Sequence, residues 1–359
     1  MIKAFVSATA GAFLLASSFG SPANAAEVTL RALGWYGNQP QSSEVERPFW
    51  KNLESSTGGK LAAQFRTIDE IGLKGFESLR TLQSGAFDVV SFQISFVGGE
   101  APVLMGVDLP GLAFDFDELH KVVDAYRPIL ERNLETRFKG KLLAAWPYPF
   151  QILYCKHDMK GLEDLRGQKV RVSGSLMAEM VKQLGGATVT LAGPEVYQGL
   201  MQGIVDCAIT GSQYGNSNDW FETTKSLNVT PVGGAGVVLH VARKDFWDKL
   251  TQPQRDALAK SMQELEARLW KMAVETHIDG INCNTGKDPC AGKKGKMTLV
   301  ETTDADRARI KKILAENVIP LWLSDCTKVA PTCKEDWSNT VGKLLGAELP
   351  ERAGGRVSP

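Results

Sequence analysis

Lys169-Val170-Arg171-Val172 reads as a short strand in which alternation puts the two valines on one face and Lys169 and Arg171 on the other. A guanidinium keeps its charge at neutral pH and offers a carboxylate two parallel hydrogen bonds. Arg171 can therefore hold an acidic ligand. A charged strand residue facing water in an ordinary ion pair is the other reading of the same pattern. Hydrolytic chemistry is harder to assemble. A nucleophile, a base and an orienting group must lie within reach of one another, and no Gly-x-Ser-x-Gly elbow is present. Gly233-Gly234-Ala235-Gly236 lacks the Lys-Ser/Thr of a phosphate loop and reads as a hinge or turn. Glu163 and Asp164 are adjacent, so at a helix start they point apart and complement the helix dipole. His120, His157, His240 and His277 are scattered and there is no Cys-x-x-Cys, which argues against zinc. Nothing calls for a cofactor.

The bulk properties narrow the setting. Lysine plus arginine balance aspartate plus glutamate, 41 against 41, so no global field favours nucleic acid or an anionic membrane. Lys3, an apolar run from Ala4 to Phe19, and Ala23-Asn24-Ala25 form the pattern of a secretory signal over residues 1–25. The run is too short, and too rich in Ser and Gly, for a membrane span. An exported soluble protein of two domains is expected. Six cysteines agree with an oxidising compartment. Cys283 with Cys290 and Cys326 with Cys333 bracket short loops and read as local disulfides. Cys155 and Cys207 fall in apolar strands, where cysteine is more often a small buried hydrophobe; a third bridge is the alternative.

Strands are predicted at 28–33, 61–66 and 87–92, with helices at 44–55 and 73–82 between them. The second half repeats the order, with strands at 151–156, 169–172, 188–191, 207–210 and 237–242 and helices at 176–184 and 194–202. Alternating β and α elements argue for parallel sheets. One long helix begins near Pro253 and runs toward Ile281. LQSGAFDVVSF (82–92) and LMQGIVDCAIT (200–210) share one layout, with Gly85 matching Gly203 and Asp88 matching Asp206. A helix stop and a turn or capping aspartate at each joint imply two similar α/β lobes.

GLEDLRGQKVRVSG, LGGATVTL and EVYQGLMQGIVD, together with the earlier TGGKLAAQFRTIDEIG, LQSGAFDVVSF and VDLPGLAFD, resemble the extracytoplasmic solute-binding subunits of tripartite ATP-independent periplasmic (TRAP) transporters, the DctP-like family. The resemblance runs from about residue 28 to about 325. It implies an α/β two-lobed periplasmic-binding-protein fold, each lobe a mainly parallel sheet flanked by helices, with a long hinge-spanning helix. On it, residues 26–148 plus about 237–276 form lobe I, 149–236 plus about 277–335 form lobe II, and 336–359 form a C-terminal tail. It also implies the small and large TRAP membrane subunits as partners, an ion gradient as the energy source, and a periplasmic location.

By the same resemblance, Arg171 is the arginine that grips the ligand carboxylate. Some relatives carry a second arginine where this chain has Gln151, which can give a neutral hydrogen bond. The position that is often asparagine is Thr210, which implies a less polar pocket than that of a sugar-acid binder. Trp35, Phe92 and Phe150 are expected as walls, and Tyr36, Asn38, Glu70, Gln93, Tyr214 and Asn216 as further contacts. The expected ligand is a small monocarboxylate with an apolar or aromatic part, such as a 2-oxo or 2-hydroxy acid. A dicarboxylate, or a role as ligand-sensing subunit of a signalling system, is the alternative.

Overall fold

Gly85 and Gly203 each end a helix with a positive φ, 77° and 71°, which glycine adopts without the Cβ clash of other residues. Each opens the same construction in a computed structural model that describes Met1 and residues 26–346. After Gly85 the Asp88 carboxylate accepts the backbone N–H of Arg31 at 2.9 Å, and the Arg31 side chain returns to the Gly85 carbonyl at 2.9 Å. After Gly203 the Asp206 carboxylate accepts the N–H of Lys169 at 2.8 Å, and Lys169 Nζ returns to the Gly203 carbonyl at 2.5 Å. Each aspartate thus clasps a neighbouring strand, a structural role that reaches beyond the turn or cap expected for it. Two residues beyond the clasped strand residue the repeat breaks: one copy has buried Leu33, the other has Arg171.

The strands, in chain order, are β1 (Val28–Gly34), β2 (Leu61–Thr67), β3 (Val89–Gln93), β4 (Gly140–Pro147), β5 (Gln151–Cys155), β6 (Lys169–Val172), β7 (Ala187–Thr190), β8 (Cys207–Gly211), β9 (Ser226–Asn228), β10 (Val237–Arg243) and β11 (Thr298–Val300). They form two sheets, ordered β2-β1-β3-β10-β4 and β11-β9-β5-β8-β6-β7. Both sheets are mixed, where the β-α-β pattern points to mainly parallel ones. β10 runs antiparallel to β3 and β4, and β5 antiparallel to β8 and β9. These are the strands that enter each sheet from a crossing connection, so their direction is set by the other sheet. β3, β5 and β8 are buried along their whole length, as strands covered on both faces should be.

The helix Gln252–Thr285 has 34 residues, about 51 Å at 1.5 Å per residue, and leads from the first sheet to the second. A 23-residue helix, Phe116–Phe138, has no counterpart among the elements expected from the sequence, although Asp115 caps it, accepting from Glu118 N at 2.8 Å. The terminal helices dock inward. Trp322 Nε1 donates to the Pro102 carbonyl at 2.7 Å and Trp337 Nε1 to the Gly106 carbonyl at 2.8 Å. Trp337 and Val341 are fully buried, so the boundary at 336 expected for a tail falls inside packed helical structure. Residues 2–25 of the expected export signal and residues 347–359 of the expected tail lie outside the described residues. No helix among the described residues is long and apolar enough to cross a membrane.

All six cysteines are bonded: Cys283–Cys290, Cys326–Cys333, and also Cys155–Cys207, the bridge the sequence left as an alternative. The last pair sits directly across β5 and β8 and spans 52 residues of sequence. Closing a loop of that length in the unfolded chain corresponds to about 4 kcal/mol in the chain-entropy treatment, and measured bridges give about 2–4 kcal/mol. Cys155→Ala/Cys207→Ala is therefore expected to lower stability by about 2–4 kcal/mol. Urea titration checks it, and a loss below ~1 kcal/mol would show that the unfolded chain is not held by this bridge.

Candidate ligand-binding site

Between the two sheets, at the carboxyl ends of their parallel strands, lies a cavity fed from both sides, as open α/β sheets arrange their sites. Trp35, Tyr36 and Gln39 reach it from the loop after β1, and Gln93 and Phe96 from the end of β3. Tyr148, Pro149 and Gln151 line it from the β4–β5 crossing. The other wall is Arg171 and Ser173 at β6, Gly193 after β7, and Thr210, Gly211, Gln213 and Tyr214 around the end of β8. A Cβ on Gly193 would lie 2.3 Å from Tyr214 Oη, so this glycine lets the phenol into the wall. The space open to the centre of a water-sized sphere is about 50 Å³. One water needs roughly 10–15 Å³ on that measure and about 30 Å³ of liquid, so the cavity matches about three to five waters, the bulk of a small organic acid.

Arg171 is the one charged side chain among the described lining residues, and it is 4% exposed. Nε donates to the Leu191 carbonyl at 2.9 Å and Nη1 to the Ile209 carbonyl at 2.8 Å, which holds the guanidinium plane between β7 and β8. Burial pulls it down to about 10, so it remains a cation at neutral pH. Its acidic neighbour, Glu195, is engaged elsewhere: it accepts from Ala192 N at 2.9 Å and faces Lys74 at 3.6 Å. A desolvated cation with two carbonyl acceptors and no carboxylate partner is costly, and an anion docking on it removes that cost.

Two titratable groups stand beside the crossings that join the walls, Asp108 buried and His277 half-buried. Asp108 accepts from Ala235 N at 2.7 Å and Val237 N at 2.9 Å, pinning the β9–β10 crossing. Burial pushes it up to about 6, against those N–H bonds. His277, on the long helix, has Nδ1 3.2 Å from Ser212 Oγ and packs edge-on against Phe116 and Phe150; burial pulls it down to about 4. The signs oppose. A raised acid contributes stability below its unfolded value, near 4, that is lost as pH rises through about 6. A depressed histidine contributes stability above about 6.5 that is lost as pH falls through about 4. Stability of the protein should therefore change little between pH 4 and 6 from these two groups. His277→Phe should turn the curve downward with rising pH over that range, and Asp108→Asn should turn it upward. Urea midpoints at pH 4, 5, 6 and 7 check both, and parallel curves for all three proteins would refute the pairing.

The family of bacterial extracellular solute-binding proteins, family 7 (DctP), matches residues 34–320. The chain belongs to this family. It is 27% identical over 203 residues to a solute-binding protein of Albidiferax ferrireducens, covering 55% of this chain and 60% of that protein, so the match spans less than two thirds of that relative. It is 27% identical over 273 residues to the C4-dicarboxylate-binding periplasmic protein DctP of Rhodobacter capsulatus, covering 74% and 79%. A Bordetella pertussis extracytoplasmic solute receptor binding pyroglutamic acid superposes with a TM-score of 0.74 at 20% identity, over 86% of this chain and 99% of that one. The two-lobed α/β fold is that of TRAP solute receptors.

In this family-7 receptor the cavity gathers Arg171, Gln151, Thr210, Trp35, Tyr36, Gln93 and Tyr214 from the residues singled out in the sequence. The other five lie off it. Phe92 is fully buried within the first sheet. Phe150 packs on Phe116 and His277. Glu70 accepts from Arg47 at 2.6 Å and from Thr67 N at 3.1 Å. Asn38 Oδ1 accepts from Gln39, and Asn216 is tied to the backbone of Lys293. Gln39, Phe96, Tyr148, Ser173 and Gln213 line the cavity without being among the residues expected from the sequence.

Proposed function

We propose that this protein captures a small monocarboxylate between its two lobes and delivers it to the small and large membrane subunits of a TRAP carrier from the periplasm. The observation that carries this reading is the buried Arg171 guanidinium without an acidic partner, facing a cavity with no other charged side chain among its described lining residues. One cation calls for one carboxylate, and Trp35, Phe96 and Tyr214 offer apolar surface to the remainder. Relatives of similar fold are described with carboxylates of varied form: orotic acid in one solved structure and β-D-galacturonate in another, at TM-scores of 0.75 and 0.74. That variety supports a shared carboxylate grip and leaves the remainder to each pocket. The lobes of the proposal are 26–148 with 237–276, and 149–236 with 277–335, closing about residues 148–150, 229–236 and the long helix. A ligand touching both walls favours the closed form by its differential contacts.

A thermal-shift screen of residues 26–359 against small organic acids, after unfolding and refolding to strip bound solute, tests this. An acid at a hundredfold its dissociation constant adds about 2.7 kcal/mol. Stabilisation confined to one group of monocarboxylates is the expected result. Turnover of any acid, or stabilisation only by uncharged solutes, would sink the reading.

A further inference from the structure

Residues 72–77, between β2 and β3 of the first sheet, lie against three residues of the cavity wall. Gly75 rests on the Trp35 indole: a Cβ there would stand 2.3 Å from Trp35 Cη2, so the segment can lie this close only with glycine. Tyr36 Oη donates to the Lys74 carbonyl at 3.1 Å. Phe76 packs on Phe96 with ring centroids 5.0 Å apart. Trp35, Tyr36 and Phe96 all line the cavity. The same segment reaches across to the second sheet. Lys74 Nζ stands 3.6 Å from Glu195 Oε1, on the turn between β7 and β8. Glu195 Oε2 accepts from Ala192 N at 2.9 Å, which fixes the carboxylate two residues from Gly193 of the opposite wall. One short segment thus carries aromatic contacts to one wall and a charge contact to the other.

We infer that residues 72–77 form a strap that holds the cavity shut, with Lys74 and Glu195 as positioning residues that touch no ligand themselves. The aromatic contacts keep the strap on the first wall, and the ion pair is the part that breaks when the walls separate. Both side chains are well exposed, at 65% and 51%, so the pair adds little to folding stability. An exposed pair shifts an equilibrium by only about one- to fivefold, which suits a latch that must release, and added salt weakens it further. That the strap encloses a carboxylate rests on the reading proposed above; the strap itself does not.

Hydroxyl-radical footprinting of the refolded protein without added acid tests it, with oxidation read residue by residue. Trp35, under the strap, is buried, and so are Trp50 and Trp337 away from it. Lys74→Glu sets two carboxylates face to face and should raise oxidation of Trp35 about two- to fivefold, with Trp50 and Trp337 as in wild type. Lys74→Arg should match wild type. In Glu195→Gln, which keeps an oxygen for Ala192 N, Lys74→Glu should add little. Equal oxidation of Trp35 in wild type and Lys74→Glu overturns the strap. So does a rise that persists undiminished in the Glu195→Gln background, or one shared by Trp50 and Trp337. Since no acid is added, none of these outcomes depends on the carboxylate reading, whose own failure would show in the thermal-shift screen.

Discussion

Arg171→Ala is expected to lower ligand affinity by about 2–5 kcal/mol, roughly thirtyfold to several thousandfold, while the unliganded protein keeps its stability or gains some. The two halves of that expectation have one cause. Without ligand, the guanidinium is a buried cation whose partners are the carbonyls of Leu191 and Ile209, so removing it relieves a desolvation cost. With ligand, the same removal strands a buried carboxylate. Arg171→Lys keeps the charge but replaces a planar fork by a single point, so it should fall between wild type and alanine. Calorimetric titration together with melting of the unliganded forms separates the effects. Unchanged affinity in the alanine variant would show that the acid sits elsewhere; a large loss of unliganded stability would show that Arg171 is structural.

The largest expected loss of stability lies beneath the cavity. Glu46 Oε1 is 2.7 Å from His240 Nε2, and Glu46 Oε2 accepts from Ser42 Oγ at 3.1 Å; both Glu46 and His240 are fully buried. Trp146 Nε1 donates to His240 Nδ1 at 3.1 Å, so Nδ1 is the acceptor and Nε2 carries the hydrogen that Glu46 receives. Removing Glu46 leaves His240 Nε2 and Ser42 Oγ buried and without these partners. Glu46→Ala should cost about 3–5 kcal/mol, whereas replacing Glu46 and His240 together by leucine should recover part of it, because the buried carboxylate and imidazole are gone and only Trp146 Nε1 and Ser42 Oγ lose their acceptors. Ligand affinity should change little, since neither residue lines the cavity. A double-mutant cycle in urea decides the matter. If the double variant is as unstable as the single one, the network is not the source of the loss.

The legible parts of the site were those with local signatures. Gly85 and Gly203 end their helices at positive φ, so the doubled joint could be read from spacing, whereas the strands that Asp88 and Asp206 clasp lie 57 and 37 residues away and could not. Arg171 was placed by strand alternation. The errors came from the same periodicities followed one step too loosely. Phe92 and Gln93 are neighbours in β3, and alternation sends them to opposite faces, so only one of them can meet the cavity. Asn216 follows Tyr214 by two residues on a helix, roughly 200° around its axis, and turns to the Lys293 loop instead. Glu70 was claimed by Arg47, a partner distant in sequence. Gln39 and Gln213 stand on a loop and a short helix just past strand ends, and the β4–β5 crossing brings in Tyr148; no local pattern encodes where these segments meet. The mixed sheets have that origin too: β5 and β10 take their direction from connections that sequence order alone does not reveal.

The position of β10 also sets a clock. Among the described strands, β4 pairs only with β10, and β10 fills the gap between β3 and β4. A chain made from its N-terminus therefore holds β1 to β4 without a complete sheet until Arg243 has emerged, after the strands β5 to β9 of the other sheet. At 5–20 residues per second, that interval lasts on the order of 5–20 s. For the exported protein proposed here, this delay is useful. The first half cannot lock into its native sheet before most of the polypeptide is available for threading, so the order of strands itself keeps the nascent chain open.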